Sequence, residues 1–191
     1  MTVQELIYKN QVLKIEQDLD PMSPREFDNT GIMVCGNSHY TLGDKQINDQ
    51  SPEEYFTDLG LSQKDIILLP LYIMDHSGLS MSTGDYNDKW DSGLVGFIYT
   101  TKQKVKDEWN VKRISKKLHT IIINNMKSEV REYSDYIGGE VYGFTLTESV
   151  QTENRLVEIE SDSCWGFYGH DPQKNGISDN IHDFDKFVEV N

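Results

Sequence analysis

The chain has 191 residues, 37% apolar and 26% charged, and its 32 Asp and Glu against 18 Lys and Arg leave a net charge of −14. That length suits one globular domain, 1–191, with a real core, and ten Tyr, seven Phe and three Trp argue against disorder. So negative a chain repels nucleic acid and anionic lipid, and it attracts basic surfaces or cations.

The hairpin signal comes first: "ELIYKNQVLKIEQD" is two alternating runs joined at Lys9-Asn10-Gln11. "DLDPMSPREFDNTG" reads as a loop, because Pro21 and Pro24 block regular pairing and Asp20, Ser23, Asp28 and Asn29 form turns. "IMVCGNS" then predicts a buried strand. "SPEEYFTDLG" predicts a short helix, with Ser51 as N-cap, Pro52 at the first helical position, acids in the first turn and Gly60 past the end. "DIILLPLYIMDHS" is the most apolar run and predicts the central strand, with a bulge or bend at Pro70. "LSMSTG" and "LVGFIYT" continue a sheet on either side of an Asp-rich loop.

From Lys102 to Trp109, and again from Ile114 to Ile137, the pattern is helical. Ile114, Leu118, Ile121, Ile122 and Met126 make one apolar stripe, and Gly138-Gly139 stops the helix. "EVYGFTLTE" and "RLVEIESDSCWGFYG" return to strands, and "SDNIHDFDKFVEV" reads as a closing helix capped by Ser178 or Asp179. The order is not a βαβ alternation. It predicts an α+β fold, with a mostly antiparallel sheet packed by one long basic amphipathic helix and shorter helices. Residues 101–137 hold nine Lys and Arg against five acids, a local +4, while the other 154 residues carry −18.

"MTVQELIYKN" lacks the charged and apolar regions of a signal peptide, and no apolar run is long enough to span a membrane. The expected setting is the cytoplasm, with Cys35 and Cys164 as reduced thiols whose 129-residue separation does not exclude a meeting in the fold.

Asp75, His76, Ser77, Asp85, Asp88 and Asp91 form the densest polar cluster, fenced by Gly78, Gly84 and Gly93. Three consecutive strand residues alternate faces, so Asp75, His76 and Ser77 do not make a catalytic triad alone. "DYNDKWDSG" offers Asp85, Asn87, Asp88 and Asp91 as oxygen ligands, but Lys89 and Trp90 stand where a calcium loop needs an oxygen ligand and a glycine. The expected reading is a self-capped loop. The alternative is a metal-assisted hydrolase of a nucleotide or signal molecule, with Asp75, His76, Asp85 and Asp91 as ligands or base. His39, His119, His170 and His182 follow no metal-binding spacing. Arg25 among Glu26, Asp28 and Asn29 predicts a fork-like ion pair that pins the loop. Trp165 and Tyr168 read as packing beside Trp90. No nucleotide-binding glycine motif is present and no cofactor is expected.

Three blocks, "DPMSPREFDNTGIMVCGNSHYTLGD", "LPLYIMDHSGLSMSTGDYNDKWDSGLVGFIYTTKQKVKDEW" and "DSCWGFYG", occur in this order. Together they resemble a family of small acidic proteins encoded by phages, prophages and plasmids of Gram-positive bacteria. The resemblance implies a genetic setting and carries over no catalytic residue. As a class, very acidic proteins of mobile elements resemble anti-CRISPR and antirestriction inhibitors, which evade host defence as nucleic-acid mimics. The expected function is therefore inhibition of a host nucleic-acid-acting defence complex by occluding its basic surface. The expected partner-binding residues are Asp44, Asp49, Glu53, Glu54, Asp58, Glu153, Glu158 and Glu160. A host nuclease or effector is the expected partner, with no membrane, no nucleic acid as main partner, and self-association through the basic helix as one option.

Overall fold

The computed structural model describes residues 2–36, 39–47, 50–76, 78–88 and 90–190. In chain order the elements are β1 (Thr2–Tyr8), β2 (Gln11–Gln17), β3 (Ile32–Cys35), β4 (Lys45–Gln46), α1 (Pro52–Asp58), β5 (Ile66–Asp75), β6 (Leu79–Ser82), β7 (Ser92–Thr101), α2 (Lys102–Glu108), α3 (Lys116–Ile137), β8 (Val141–Gln151), β9 (Leu156–Tyr168), α4 (Ile177–Asn180) and β10 (Val188–Glu189). The fold is α+β, but the expected single sheet is two. They belong to two compact units, Met1–Met22 with Gly139–Asn191, and Ser23–Gly138. Among the described residues no helix is long and apolar enough to cross a membrane.

The first unit is an antiparallel sheet in the order β10-β1-β2-β8-β9. The β1–β2 turn places Lys9 at φ 56, and Leu6, Leu13, Ile15 and Phe144 then share one buried face. Ile177, Ile181 and Phe187 cover that face. They come from the segment expected to be a closing helix, which instead forms only the four-residue α4, one 3-10 turn and β10. Its N-cap is Gly176, not Ser178 or Asp179. Asp183 stands at φ 60, a left-handed conformation that no α-helix continues through. The apolar residues at 181, 184 and 187 therefore pack as separate plugs.

The second unit has the strand order β4-β3-β7-β5-β6, antiparallel except for the short β3–β4 pair. The middle strand of the five is β7, and the more apolar β5 lies beside it, itself flanked by β7 and β6. The register of β5 on β7 slips between Leu71 and Tyr72, immediately after Pro70, where proline cannot donate to the ladder. Gly96 lets β3 approach β7: a Cβ there would lie 2.0 Å from the Val34 carbonyl oxygen.

One face of this sheet packs on α3 through Leu118, Ile122, Met126, Val130 and Tyr133, which continues the predicted stripe by two turns. The other face packs on α1, whose Phe56 meets Tyr99 edge-on at 4.9 Å between ring centres. Ser51 and Glu54 close a reciprocal cap at the start of α1. The long helix is less basic than expected. Within Lys116–Ile137 four Lys and Arg face three acids, so the surplus positive charge sits in α2, the α2–α3 loop and the first turn of α3.

The loop between the proline pair and β3 is held by Arg25, whose side chain is 8% accessible. Its Nε and Nη2 grip the two oxygens of Asp44 at 2.9 and 2.6 Å, and Nη2 also donates to the Gly31 carbonyl at 2.7 Å. Nη1 reaches Glu129 on α3 at 3.3 Å, and Glu129 accepts the N–H groups of Thr30 and Gly31. The expected fork forms, but its partners are 19 and 104 residues away rather than Glu26 or Asp28. Burial opposes the arginine's charge, and Asp44 and Glu129 outweigh it, so its pKa ends above the ordinary value.

Removing Arg25 leaves two partly buried carboxylates facing each other's field. Arg25→Ala should cost about 3 kcal/mol in a urea unfolding experiment, whereas Arg155→Ala, in an exposed turn, should cost less than about 0.5 kcal/mol.

Candidate functional site

The eight carboxylates expected to bind a partner do not share one environment. Asp44 is committed to the fold: both its oxygens serve Arg25, and Oδ2 also accepts the Met33 N–H at 2.7 Å. Asp49 lies outside the described residues. Glu53, Glu54 and Asp58 are exposed on α1 in the second unit. Glu54 accepts the Ser51 N–H at 2.8 Å, and this bond followed by the Ser51 hydroxyl holds its pKa below the ordinary carboxylate value. Asp58 accepts from the Gln50 amide at 2.7 Å. Glu153, Glu158 and Glu160 are exposed in the first unit, the latter two on β9.

β9 is the edge strand of its sheet, and its 13 residues are exposed along nearly the whole length. Glu158 and Glu160 oppose Ser149 and Thr147 and lie on one face, about 7 Å apart at the usual strand rise. The register slips at Ser161, so Asp162 turns to the other face opposite Leu146. Ser163 donates its hydroxyl to Glu160 at 2.8 Å. Among the described residues, none of these six exposed carboxylates makes an ion pair.

The Asp-rich loop behaves differently from a metal site. Asp75 accepts the Tyr40 hydroxyl at 2.7 Å, and that bond and the carboxylate's charge raise the phenol's pKa. His76 Nδ1 meets Asp91 at 2.7 Å. Asp85 instead caps the Asn87 N–H at 3.0 Å, where Asn87 takes φ 58. Asp88 accepts the N–H groups of Trp90 and Asp91 at 2.9 and 3.3 Å, which holds its carboxyl below the ordinary value. Ser92 donates its hydroxyl to the Asp88 carbonyl. Ser77 and Lys89 lie outside the described residues. Of the four alternative ligands, only His76 and Asp91 meet. Among the described residues no three His, Cys, Asp or Glu side chains are grouped to hold a metal ion.

Trp165 and Tyr168 belong to the first unit, whereas Trp90, 94% exposed, belongs to the second. Trp165 lies across Gly143 of β8, where a Cβ would come within 2.2 Å of the indole. Tyr168 donates its hydroxyl to the Met22 carbonyl at 2.8 Å.

A feature that periodicity did not reveal is a cleft of about 650 Å³ between α2 and the start of α3. Lys102 and Lys106 line it from one face of α2, Lys112 and Arg113 from the loop, and Lys116 and His119 from α3. Ile114, Ser115 and Thr120 complete it, and no acid contributes. The run of cations was visible in the sequence, but their convergence was not. The readable signal was a first turn of α3 with two lysines and no acid.

Compared with protein-family models, curated proteins and solved structures, the chain matches none.

Cys35 and Cys164 are free thiols, the first buried and the second exposed on β9. Burial, then the charge of Asp44, pushes the Cys35 thiol up from 9.0 to about 12. A thiol reagent at about pH 8 should therefore titrate Cys164 alone in the native protein and both cysteines in urea. Because the fold favours the protonated thiol, this contribution to stability is complete below the unfolded value of 9.0 and is lost as pH rises toward about 12. Burial raises the phenols of Tyr99 and Tyr133 in the same sense. The urea midpoint should fall across this alkaline range, and fall less in Cys35→Ala.

Proposed function

We propose that the chain is a binding protein that occludes the basic nucleic-acid-binding surface of a host defence complex, in the manner of anti-CRISPR and antirestriction inhibitors. The observation that carries this reading is the acidic edge of the first unit. Glu158 and Glu160 stand about 7 Å apart on one face of an open strand, with Glu153 in the adjoining turn and no cation paired to any of them among the described residues. That spacing is shorter than the screening length of about 8 Å at physiological salt, so the charges repel one another in the free protein. A Lys/Arg cleft built to track phosphates relieves that repulsion and releases counterions as it does for nucleic acid.

Charge supports the same reading at long range. The protein carries −14 overall, which speeds encounter with a basic partner. The resemblance of three sequence blocks to proteins of mobile elements supplies the setting in which a defence complex is the partner. On α1, Glu54 and Asp58 lie one turn apart and form a second acidic patch, with Glu53 beside Glu54. The Glu54 oxygen is tied to the cap of the helix.

Displacement of labelled DNA from a panel of purified restriction and CRISPR effectors, followed by anisotropy, tests this. The wild-type chain should displace DNA from one of them, less effectively as salt rises. Glu158→Lys with Glu160→Lys should weaken that displacement by about tenfold, and Glu53→Lys with Asp58→Lys shows whether α1 shares the contact. Displacement unchanged by either charge reversal would rule out occlusion by carboxylates, as would a failure to displace DNA from any effector.

A further inference from the structure

The cleft between α2 and α3 inverts the electrostatics of the rest of the protein. Acids outnumber Lys and Arg by 32 to 18 across the chain, yet nine residues line this cleft with five Lys and Arg, one His and no acid. Like charges gathered in a concave space repel more strongly than on a convex surface, because low-dielectric walls focus the field. In the free protein Asp65 offsets part of this cost at Lys102. Among the described residues, no carboxylate forms an ion pair with Lys102, Lys106, Lys112, Arg113 or Lys116. Lys102 Nζ donates only to the Lys64 carbonyl, at 2.6 Å.

The placement of Lys116 and Lys117 adds to the conflict. They occupy the first turn of a 22-residue helix, with no acid beside them, where the macrodipole already presents positive charge. At the start of α1 the same chain puts Glu53 and Glu54. The sequence thus follows the dipole rule at one helix and breaks it at the helix that opens into the cleft. Local rules broken without a structural gain mark a functional position.

We propose that this cleft binds a small ligand bearing two or more phosphate groups. Its volume of about 650 Å³ lies inside the range of small-molecule sites. Arg113 supplies a planar fork for phosphate oxygens and the four lysines supply charge. The Ser115 oxygen accepts the Leu118 N–H and keeps its own proton to donate, whereas Thr120 gives its proton to the Lys116 carbonyl. No Phe, Tyr or Trp lines the cleft and His119 is its one ring, so recognition rests mainly on the phosphates. The acidic body repels a long polyanion that would extend past the cleft, which favours a compact ligand over a nucleic-acid strand. The site is independent of the acidic edge, and its success or failure leaves the occlusion reading untouched.

Isothermal titration of the whole chain with inorganic tripolyphosphate and with ATP tests the proposal, with a 12-nucleotide single-stranded DNA as the competing source of phosphate. Both small ligands should bind stoichiometrically, and affinity should fall steeply as salt rises from about 50 to 200 mM. Lys106→Glu, Lys112→Glu and Lys116→Glu should each weaken binding by roughly tenfold or more. Lys127→Glu, on an exposed face of α3 outside the cleft, should leave it unchanged. Lys116→Glu should also raise the melting temperature, which shows that the loss of binding is not a loss of fold. No heat with tripolyphosphate, equal loss in the Lys127 control, or tighter binding of the DNA than of either small ligand would overturn it.

Discussion

The second unit depends on a single buried guanidinium. Arg25 joins four pieces of chain: its own loop, the start of β3, the turn that carries Asp44, and α3 through Glu129. Each carboxylate it binds accepts backbone N–H groups as well, so the network holds the main chain and not only side chains. Lys104 reinforces the same loop from α2 by donating to the Asn29 carbonyl at 2.7 Å. Packed against this frame, Gly43 donates to the Tyr133 hydroxyl at 2.8 Å, which ties the Asp44 turn to the helix a second time. A network of this kind contributes less net stability than apolar packing of equal volume, but it fixes which loop lies against which helix.

Charge elsewhere divides into what the fold uses and what it leaves over. Asp44, Glu129, Glu54 and Asp88 are tied to backbone N–H groups. Among the described residues Glu53, Glu153 and Glu158 serve no such purpose, and of the cations lining the α2–α3 cleft only Lys102 is tied to the main chain, at the Lys64 carbonyl. The protein therefore carries surplus charge of both signs in separate places. Separated surpluses keep like charges together and cost stability, so each is a surface whose repulsion is relieved only by something of opposite sign.

The local elements were largely readable. The β1–β2 hairpin, the capped start of α1, the stripe of α3 and its Gly138-Gly139 stop all follow from periodicity and from residues with narrow backbone preferences. The errors share a cause. The C-terminal segment carries helical spacing, but Asp183 in the left-handed region and the apolar face of the first sheet turn it into a turn and a strand. Its apolarity predicts β5 as central, and β5 is an interior strand, but apolarity reports burial on the faces and not the position in the strand order, where β7 takes the middle. Arg25 was read as a pin for its loop, with its nearest acids as partners. Only folding brought Asp44 and Glu129 closer than Glu26 and Asp28.

The sequence by itself determined the α+β class, the positions of most strands and helices, the excess of acid, and the lone run of cations between 102 and 117. These are properties of composition and of short-range backbone preference, and both survive without knowledge of the fold. Tertiary structure alone decided that there are two sheets, that Asp44 is consumed by Arg25 while Glu158 and Glu160 stand exposed on an edge strand, and that five cations of that run converge on one cleft. Convergence depends on the three-dimensional return of distant segments, and a one-dimensional pattern holds no distance between residues that no local rule relates.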